Sequence, residues 1–257
     1  MTGTMEGKSG LVTASGSGIG RASAIALAKA GAKVMISDVN EQGGLETVQM
    51  IKDNGGEAAF FKCDVSDEEQ VIALIDKTVE TFGKLDFAHN NAGINKGLVP
   101  IGELDSKDWD ITLKVTLYGT FYCLKHEVNA MLKNGGGAIV NTASGAGLEG
   151  SPNMAPYIAS KHAIAGLTKS TALEYGQKGI TINSIAPGAT ITPAIEEWSK
   201  SNPEQFQGVL KSLPGGKMAT AEDQANAVVF LCSDLASSIS GVTLAVDGGF
   251  TAGKMQQ

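Results

Sequence analysis

The chain has 257 residues, with 20 Lys and Arg against 27 Asp and Glu and a formal net charge of −7. That balance excludes a basic stripe able to displace counterions from a phosphate backbone, so nucleic acid is not an expected partner. The length suffices for a substantial core, and 18% charged with 42% hydrophobic residues fits an ordinary globule, not a disordered chain; one α/β domain over residues 1–257 is expected.

Short apolar, β-branched runs alternate with longer amphipathic stretches along the chain. Strands are predicted at 10–14, 33–37, 58–62, 86–89, 138–142, 181–185 and 243–246. Helices are predicted at 19–30, 41–54, 68–82, 106–132, 155–177 and 221–232. Asp67 and Thr220 stand where helix N-caps are needed. Repeated β-α-β units of this kind build a doubly wound parallel sheet, here of seven strands. The irregular stretch 188–216 follows Pro187 and carries Pro193, Pro203 and Pro214. A loop with short helical pieces that acts as a lid is expected there.

The three cysteines, Cys63, Cys123 and Cys232, are odd in number, widely spaced and set among apolar residues. They read as reduced core thiols, not as a disulfide frame or a metal site, and point to a reducing compartment. The first ten residues hold no apolar signal region, and no run approaches membrane-spanning length. A cytoplasmic location without a membrane partner is expected.

Directly after the first strand comes Thr13-Ala14-Ser15-Gly16-Ser17-Gly18-Ile19-Gly20, followed by an alanine-rich helix. A strand, a glycine-rich turn and a helix N-terminus make a cradle for a pyrophosphate, because glycines admit the backbone and the first helical N–H groups favour an anion. Asp38 ends the second strand 18 residues after Gly20, where a carboxylate can accept from ribose hydroxyls. It also repels a 2′-phosphate, so NAD is expected over NADP. Arg21 stands close by, but at a helical position unsuited to that phosphate.

Tyr157 and Lys161 lie four residues apart on the predicted helix 155–177, with Ser144 thirteen residues before the tyrosine. An ammonium on the same helical face as a phenol is expected to lower the phenol's pKa from its usual value of ~10, which suits proton transfer at a carbonyl or alcohol.

With these residues the sequence resembles the short-chain dehydrogenase/reductase family over nearly its whole length. The family's T-G-x-x-x-G-x-G is met at Thr13, Gly18 and Gly20, its N-N-A-G at Asn90, Asn91, Ala92 and Gly93, and its Y-x-x-x-K at Tyr157 and Lys161. Pro187, Gly188 and Thr192 match its P-G-x-x-x-T, Asn141 leads the strand before the serine, and Val246 to Gly249 match its V-D-G-G. The resemblance implies a Rossmann-type sheet and NAD(H)-dependent hydride transfer between a secondary alcohol and a ketone. It implies Ser144, Tyr157 and Lys161 as catalytic. Ser15, Ser17, Gly18, Ile19, Gly20, Asp38, Asp64, Val65, Asn91, Ala92, Gly93, Tyr157, Lys161, Pro187, Gly188, Thr190 and Thr192 would hold the cofactor, with Asp64 facing the adenine.

Two departures stand out. Ala14 occupies the position of the family's first glycine, and a modestly reshaped turn is expected. Thr116, within Val115-Thr116-Leu117-Tyr118-Gly119, replaces an asparagine assigned to a proton relay, and is carried as a candidate relay residue. The pocket segments after Gly93, from Gly145 to Met154, and around Ile195 and Trp198 are small or apolar, so a moderately hydrophobic ketone or alcohol is the expected substrate. A 3-oxoacyl thioester reductase and a non-catalytic NAD-binding regulator are the alternatives. Association as a homotetramer or homodimer through the two long helices and the C-terminal strand is also implied by the resemblance.

Overall fold

Runs such as Leu11-Val12 and Val34-Met35-Ile36 are apolar on both faces, which suits strands covered on both sides. The computed structural model describes residues 3–253. Its strands are β1 (Ser9–Thr13), β2 (Lys33–Asp38), β3 (Glu57–Lys62), β4 (Phe87–Asn90), β5 (Gly137–Thr142), β6 (Ile180–Pro187) and β7 (Thr243–Val246). They form one seven-stranded sheet in the order β3-β2-β1-β4-β5-β6-β7, and every neighbouring pair is parallel.

The helices are α1 (Gly18–Lys29), α2 (Glu41–Asp53), α3 (Glu68–Phe82), α4 (Ser106–Leu113), α5 (Gly119–Lys133), α6 (Ala155–Tyr175), α7 (Pro193–Ser201), α8 (Pro203–Ser212) and α9 (Ala221–Cys232). Leu27, Ile51 and Val228 of α1, α2 and α9 pack with Val12, Ile36 and Val140 on one face. Leu74, Cys123, Val128 and Ala172 of α3, α5 and α6 pack with Leu11, Met35 and Ile139 on the other. All three cysteines are free and buried, and no helix among the described residues is long and apolar enough to cross a membrane.

Local chemistry sets the helix ends. Asp67 accepts from Glu69 N at 3.1 Å, and Thr220 and Asp223 form a reciprocal capping box, with Asp223 N to Thr220 Oγ1 at 3.1 Å and Thr220 N to Asp223 Oδ2 at 2.8 Å. The single helix expected over 106–132 is interrupted. Lys114–Tyr118 widen into a π turn between α4 and α5. Thr116 Oγ1 accepts from Ile94 N at 3.0 Å and donates to Ile94 O at 3.1 Å, which draws the turn toward the β4 end. Just beyond it, a side chain on Gly119 would press into Val65 at 2.7 Å, so the helix can approach there only as glycine. Periodicity alone cannot register such a one-residue widening.

A row of polar groups crosses this otherwise apolar interior. Asn90 Nδ2 donates to Glu127 Oε2 at 2.9 Å and to Asn141 Oδ1 at 3.1 Å, and Asn141 Nδ2 donates to Thr168 Oγ1 at 3.0 Å. The row links α5, β4, β5 and α6. Glu127 is fully buried, and burial raises its carboxyl from 4.5 to about 8. The folded chain therefore keeps a proton that the unfolded chain releases above 4.5, so stability from this group is full at low pH and is lost as pH rises through about 8. Glu127→Gln, which preserves the shape without the charge, should match the parent in thermal unfolding near pH ~5 and exceed it by a few °C near pH ~8.5, since about 1 kcal/mol shifts a chain of this size by ~2–4 °C.

Candidate functional site

The strand order reverses between β1 and β4, so the loops leaving their carboxyl ends diverge and open a crevice. A cleft of about 290 Å³ lies there, lined by Ala14, Ser17, Gly18, Ile19, Asn91, Gly93, Thr192 and Pro193. A recess of about 420 Å³ adjoins it between α1, Thr192 and the start of α9. Another of about 420 Å³ opens at the opposite end of the sheet around Lys8, Asp86 and Gly135, lined by none of the candidate catalytic or cofactor residues.

The glycine-rich turn has the form of a phosphate cradle. Ser17 caps α1 without a side-chain bond, leaving the first helical N–H groups free of a side-chain partner. A side chain on Gly20 would lie 2.1 Å from Ala14 O, so α1 can sit this close to β1 only as glycine. Ala14 adopts φ +48°, the left-handed conformation that glycine favours. Ser15 turns inward, donating through its hydroxyl to Val12 O at 2.7 Å and through its N–H to Ser37 O at 3.0 Å, so it presents no spare donor to the cleft.

Asp38 closes one end of the crevice. Its carboxylate accepts from Gly16 N and from Asn40 N, each at 2.8 Å, which fixes the group while each oxygen keeps a further lone pair. A side chain on Gly16 would stand 2.8 Å from Asp38 Oδ2. Arg21 reaches toward the turn and α2: its guanidinium donates to Gly16 O, to Gly43 O at 3.1 Å and to Thr47 Oγ1 at 3.0 Å, and pairs with Glu46 at 3.1 Å. Beyond β3, Asp64 Oδ1 accepts from Ser66 N at 2.9 Å, and Val65 is buried against Gly119.

On the other side of the crevice, Asn91 N and Ala92 N donate to Thr13 Oγ1 at 3.0 and 3.2 Å and lock the two strand ends together. Gly93 is the narrow point: a side chain there would be 3.3 Å from Lys161 Nζ and 3.4 Å from Thr116 Cγ2. Lys161 is buried to 2% exposure and donates to Thr142 O at 2.6 Å. Ser144 follows β5 and accepts from Ala146 N at 3.1 Å. That leaves its hydroxyl proton free to donate. The turn it caps packs on α6 so tightly that a side chain on Gly147 would meet Lys161 O at 2.7 Å. Tyr157, one helical turn before Lys161, is hydrogen-bonded to Ser144.

The electrostatics differ from the expectation in one respect. Burial raises the Tyr157 phenol above 10, and the Ser144 hydrogen bond only partly offsets this. The expected lowering by Lys161 is not what the geometry gives. The ammonium stands 5.5 Å from the centre of the phenol ring and is directed at the Thr142 carbonyl, while burial pulls Lys161 itself from 10.5 down to about 7.

Thr116 is buried and close to this group, but its hydroxyl both gives to and takes from the Ile94 backbone. It is a clasp on the loop after Gly93. Thr190 is likewise turned into the body, donating to Gly188 O at 3.0 Å and accepting from Gln224 Nε2 at 3.2 Å. Pro187 ends β6 beside Val246, and a side chain on Gly188 would meet Asp247 at 2.6 Å. Thr192 caps α7, accepting from Ile195 N at 3.4 Å, and its methyl lies over Gly18.

Two buried residues at the site escaped the sequence reading. Gln224 Nε2 also donates to Val246 O at 2.7 Å and so straps the 188–192 segment to β7. His89 Nε2 meets Thr142 Oγ1 at 2.9 Å, directly beneath the Lys161 contact. The available signal was a histidine in an otherwise apolar strand, immediately before Asn90.

These residues fit a dinucleotide: a turn whose closest approach, at Gly20, only glycine allows, helix N–H groups without side-chain partners and a fixed carboxylate at the end of β2. Comparison with known proteins agrees. A family model described as enoyl-(acyl carrier protein) reductase matches residues 13–251. A 2,5-dichloro-2,5-cyclohexadiene-1,4-diol dehydrogenase of Sphingobium indicum is 41% identical, covering 96% of this chain and 98% of its own. A cyclohexanol dehydrogenase of an Acinetobacter species is 41% identical over 98% of both chains. Among solved structures, levodione reductase superposes with a TM-score of 0.92 at 36% identity, covering 96% of this chain and 99% of its own. An NAD+-bound xylitol dehydrogenase gives 0.90 at 34%, covering 95% and 99%, and a structure from Agrobacterium tumefaciens with bound NADP gives 0.89 at 34%, covering 97% and 98%.

The conformation of Ala14 has a measurable consequence. An L-residue held in the left-handed region costs about 1–2 kcal/mol, whereas glycine there costs only unfolded-chain entropy of about 0.4–1 kcal/mol. Ala14→Gly should therefore leave thermal stability unchanged or raise it by up to ~1 kcal/mol, and a drop in midpoint would show that the turn is not strained.

Proposed function

The chain belongs to the short-chain dehydrogenase/reductase family, and on that premise we propose that it is an NAD(H)-dependent oxidoreductase interconverting a secondary alcohol and a ketone. The observation that carries this reading is that Lys161, one helical turn from the Ser144-bonded Tyr157, stands against Gly93, the residue that also lines the glycine-turn cleft. When bound, the nicotinamide supplies or accepts the hydride.

The protein's part is to orient the reactants and to move one proton. Tyr157 gives its phenolic proton to the nascent alkoxide in reduction and removes the alcohol proton in oxidation. Ser144 Oγ, which accepts from Ala146 N, donates to the same substrate oxygen as charge develops. Lys161, fixed on Thr142 O, sets its amine beside the phenol and would bond the ribose of a bound nicotinamide cofactor. Thr116 acts by holding Ile94, and with it the loop that follows Gly93.

For the cofactor, the fixed Asp38 carboxylate would accept from ribose hydroxyls and disfavour a 2′-phosphate. Arg21 is paired with Glu46 and bonded to the Gly16 and Gly43 carbonyls, and among the described residues no Lys or Arg is paired with Asp38. Ser17, Gly18, Ile19 and Gly20 would hold the pyrophosphate, Asp64 and Val65 the adenine, and Asn91, Ala92, Gly93, Pro187, Gly188 and Thr192 the nicotinamide half. Segment 188–216, with α7 and α8, would close over it.

For the substrate, we infer an alicyclic secondary alcohol or its ketone. The named relatives act on ring alcohols, and Leu98, Ile101 and Leu148, on the loops that leave β4 and β5, expose apolar surface. Exposed Tyr118 at the end of the π turn, Phe121 on α5 and Leu173 on α6 support association through the long helices.

Tyr157→Phe should lower turnover of cyclohexanol or cyclohexanone by ~10²–10⁴ while leaving NADH affinity within about twofold of the parent. Near-parental turnover would remove Tyr157 from the mechanism. The parent should favour NADH over NADPH by at least ~10-fold in kcat/KM, and Asp38→Ala should narrow that ratio by about tenfold, the equivalent of ~1.4 kcal/mol. Equal use of both cofactors by the parent would overturn the role given to Asp38.

A further inference from the structure

His89 is fully buried on β4, and only one of its ring nitrogens has a partner. Nε2 meets Thr142 Oγ1 at 2.9 Å, while Nδ1 has none among the described residues. Two hydrogen-bond directions are possible in principle. If Thr142 donated to Nε2, the neutral ring would carry its proton on Nδ1 and leave an orphaned N–H in the core. If Nε2–H donates to Thr142, the unpaired atom is a bare acceptor, which buried sites tolerate better than an orphaned donor. A charged ring is disfavoured by burial and by Lys161 nearby, which together pull the imidazole from 6.5 to about 3. The neutral Nε2–H tautomer follows.

That choice orients the next two groups. With Oγ1 accepting from His89, the Thr142 hydroxyl proton is free to donate to Asn91 Oδ1 at 3.4 Å. With Oδ1 so engaged, Asn91 Nδ2 faces Thr13 O at 3.4 Å and Ala14 O at 3.3 Å. These carbonyls belong to the turn in which Ala14 holds φ +48°. The separations beyond His89 are long, so no single contact fixes the amide. Its orientation depends on the run of donors starting at the imidazole. Reversed, the Asn91 amide would set an oxygen against two carbonyl oxygens.

We propose that His89 is a positioning residue for the cofactor turn: its Nε2–H, through Thr142 and Asn91, holds the Thr13 and Ala14 carbonyls in the conformation that receives the dinucleotide. The inference rests on the nicotinamide-cofactor reading above. It assigns His89 no contact with substrate or cofactor, so its loss should act on cofactor affinity and spare the chemical step.

The test uses the full chain as parent, His89→Phe and His89→Gln, titrated with NADH by fluorescence and assayed with cyclohexanol at saturating NAD. The Gln amide nitrogen can take the place of Nε2 as a donor; the Phe ring cannot. His89→Phe should weaken NADH binding about fivefold or more, the effect of losing roughly 1 kcal/mol of hydrogen bonding, with kcat and the alcohol KM within about twofold; His89→Gln should bind within about twofold of the parent. Equal NADH affinity in the parent and His89→Phe, equal weakening in both variants, or a matching loss in kcat would each overturn the proposal. A parent that binds no NADH would instead remove the cofactor reading, and this inference with it. Independently of any variant, ¹⁵N NMR of the parent should show His89 protonated on Nε2 and unchanged from about pH 5 to 9. An Nδ1–H tautomer, or titration within that range, would reverse the donor order and overturn the proposal.

Discussion

A buried ammonium must be met by an acceptor, and here the acceptor is the carbonyl of Thr142 at the last position of β5, 2.6 Å from Lys161 Nζ. Much of the site's geometry follows from that contact. It ties α6 to the end of a central strand, so Tyr157, one turn earlier, is carried to Ser144 just beyond the same strand end. A surface ion pair could not do this, because solvent would screen it and side-chain entropy would oppose it. In the interior a missing partner is far more costly, and this makes the arrangement specific.

The central strands are organised by the same logic. β4 and β5 carry Asn90 and Asn141 in register at their ends, where an all-apolar interior gives way to a polar crevice. Their amides, with Glu127 and Thr168, satisfy one another across the sheet. One end of the sheet is thus built for packing and the other for presenting hydrogen-bonding groups. The two share the same few residues.

Much of this was legible from residue order. The alternation of apolar strands with amphipathic helices gave all seven strands within a few residues, because parallel strands buried on both faces leave continuous apolar runs. The turn from Thr13 to Gly20 and the Tyr157–Lys161 spacing were legible because each depends on local spacing alone. Other features were not. The π turn at Lys114–Tyr118 depends on Thr116 reaching Ile94 across the fold, and the inward rotation of Ser15 and Thr190 depends on partners distant in sequence. The raised Tyr157 phenol reflects burial, which i, i+4 spacing does not report. His89 and Glu127 looked like ordinary members of a strand and a helix until their surroundings were seen.

The two short helices after β6 meet edge to face through Trp198 and Phe206, with ring centres 6.4 Å apart. This segment, rich in proline, is therefore two helices packed on one another and not a slack tether. If it closes over the crevice as proposed above, its swing would be confined to torsions beyond the Thr190 strap, near Thr192 and at Gly215 and Gly216. Gating of the crevice would then involve little loss of chain entropy, and the kinetics of entry and exit would be governed by those few backbone bonds.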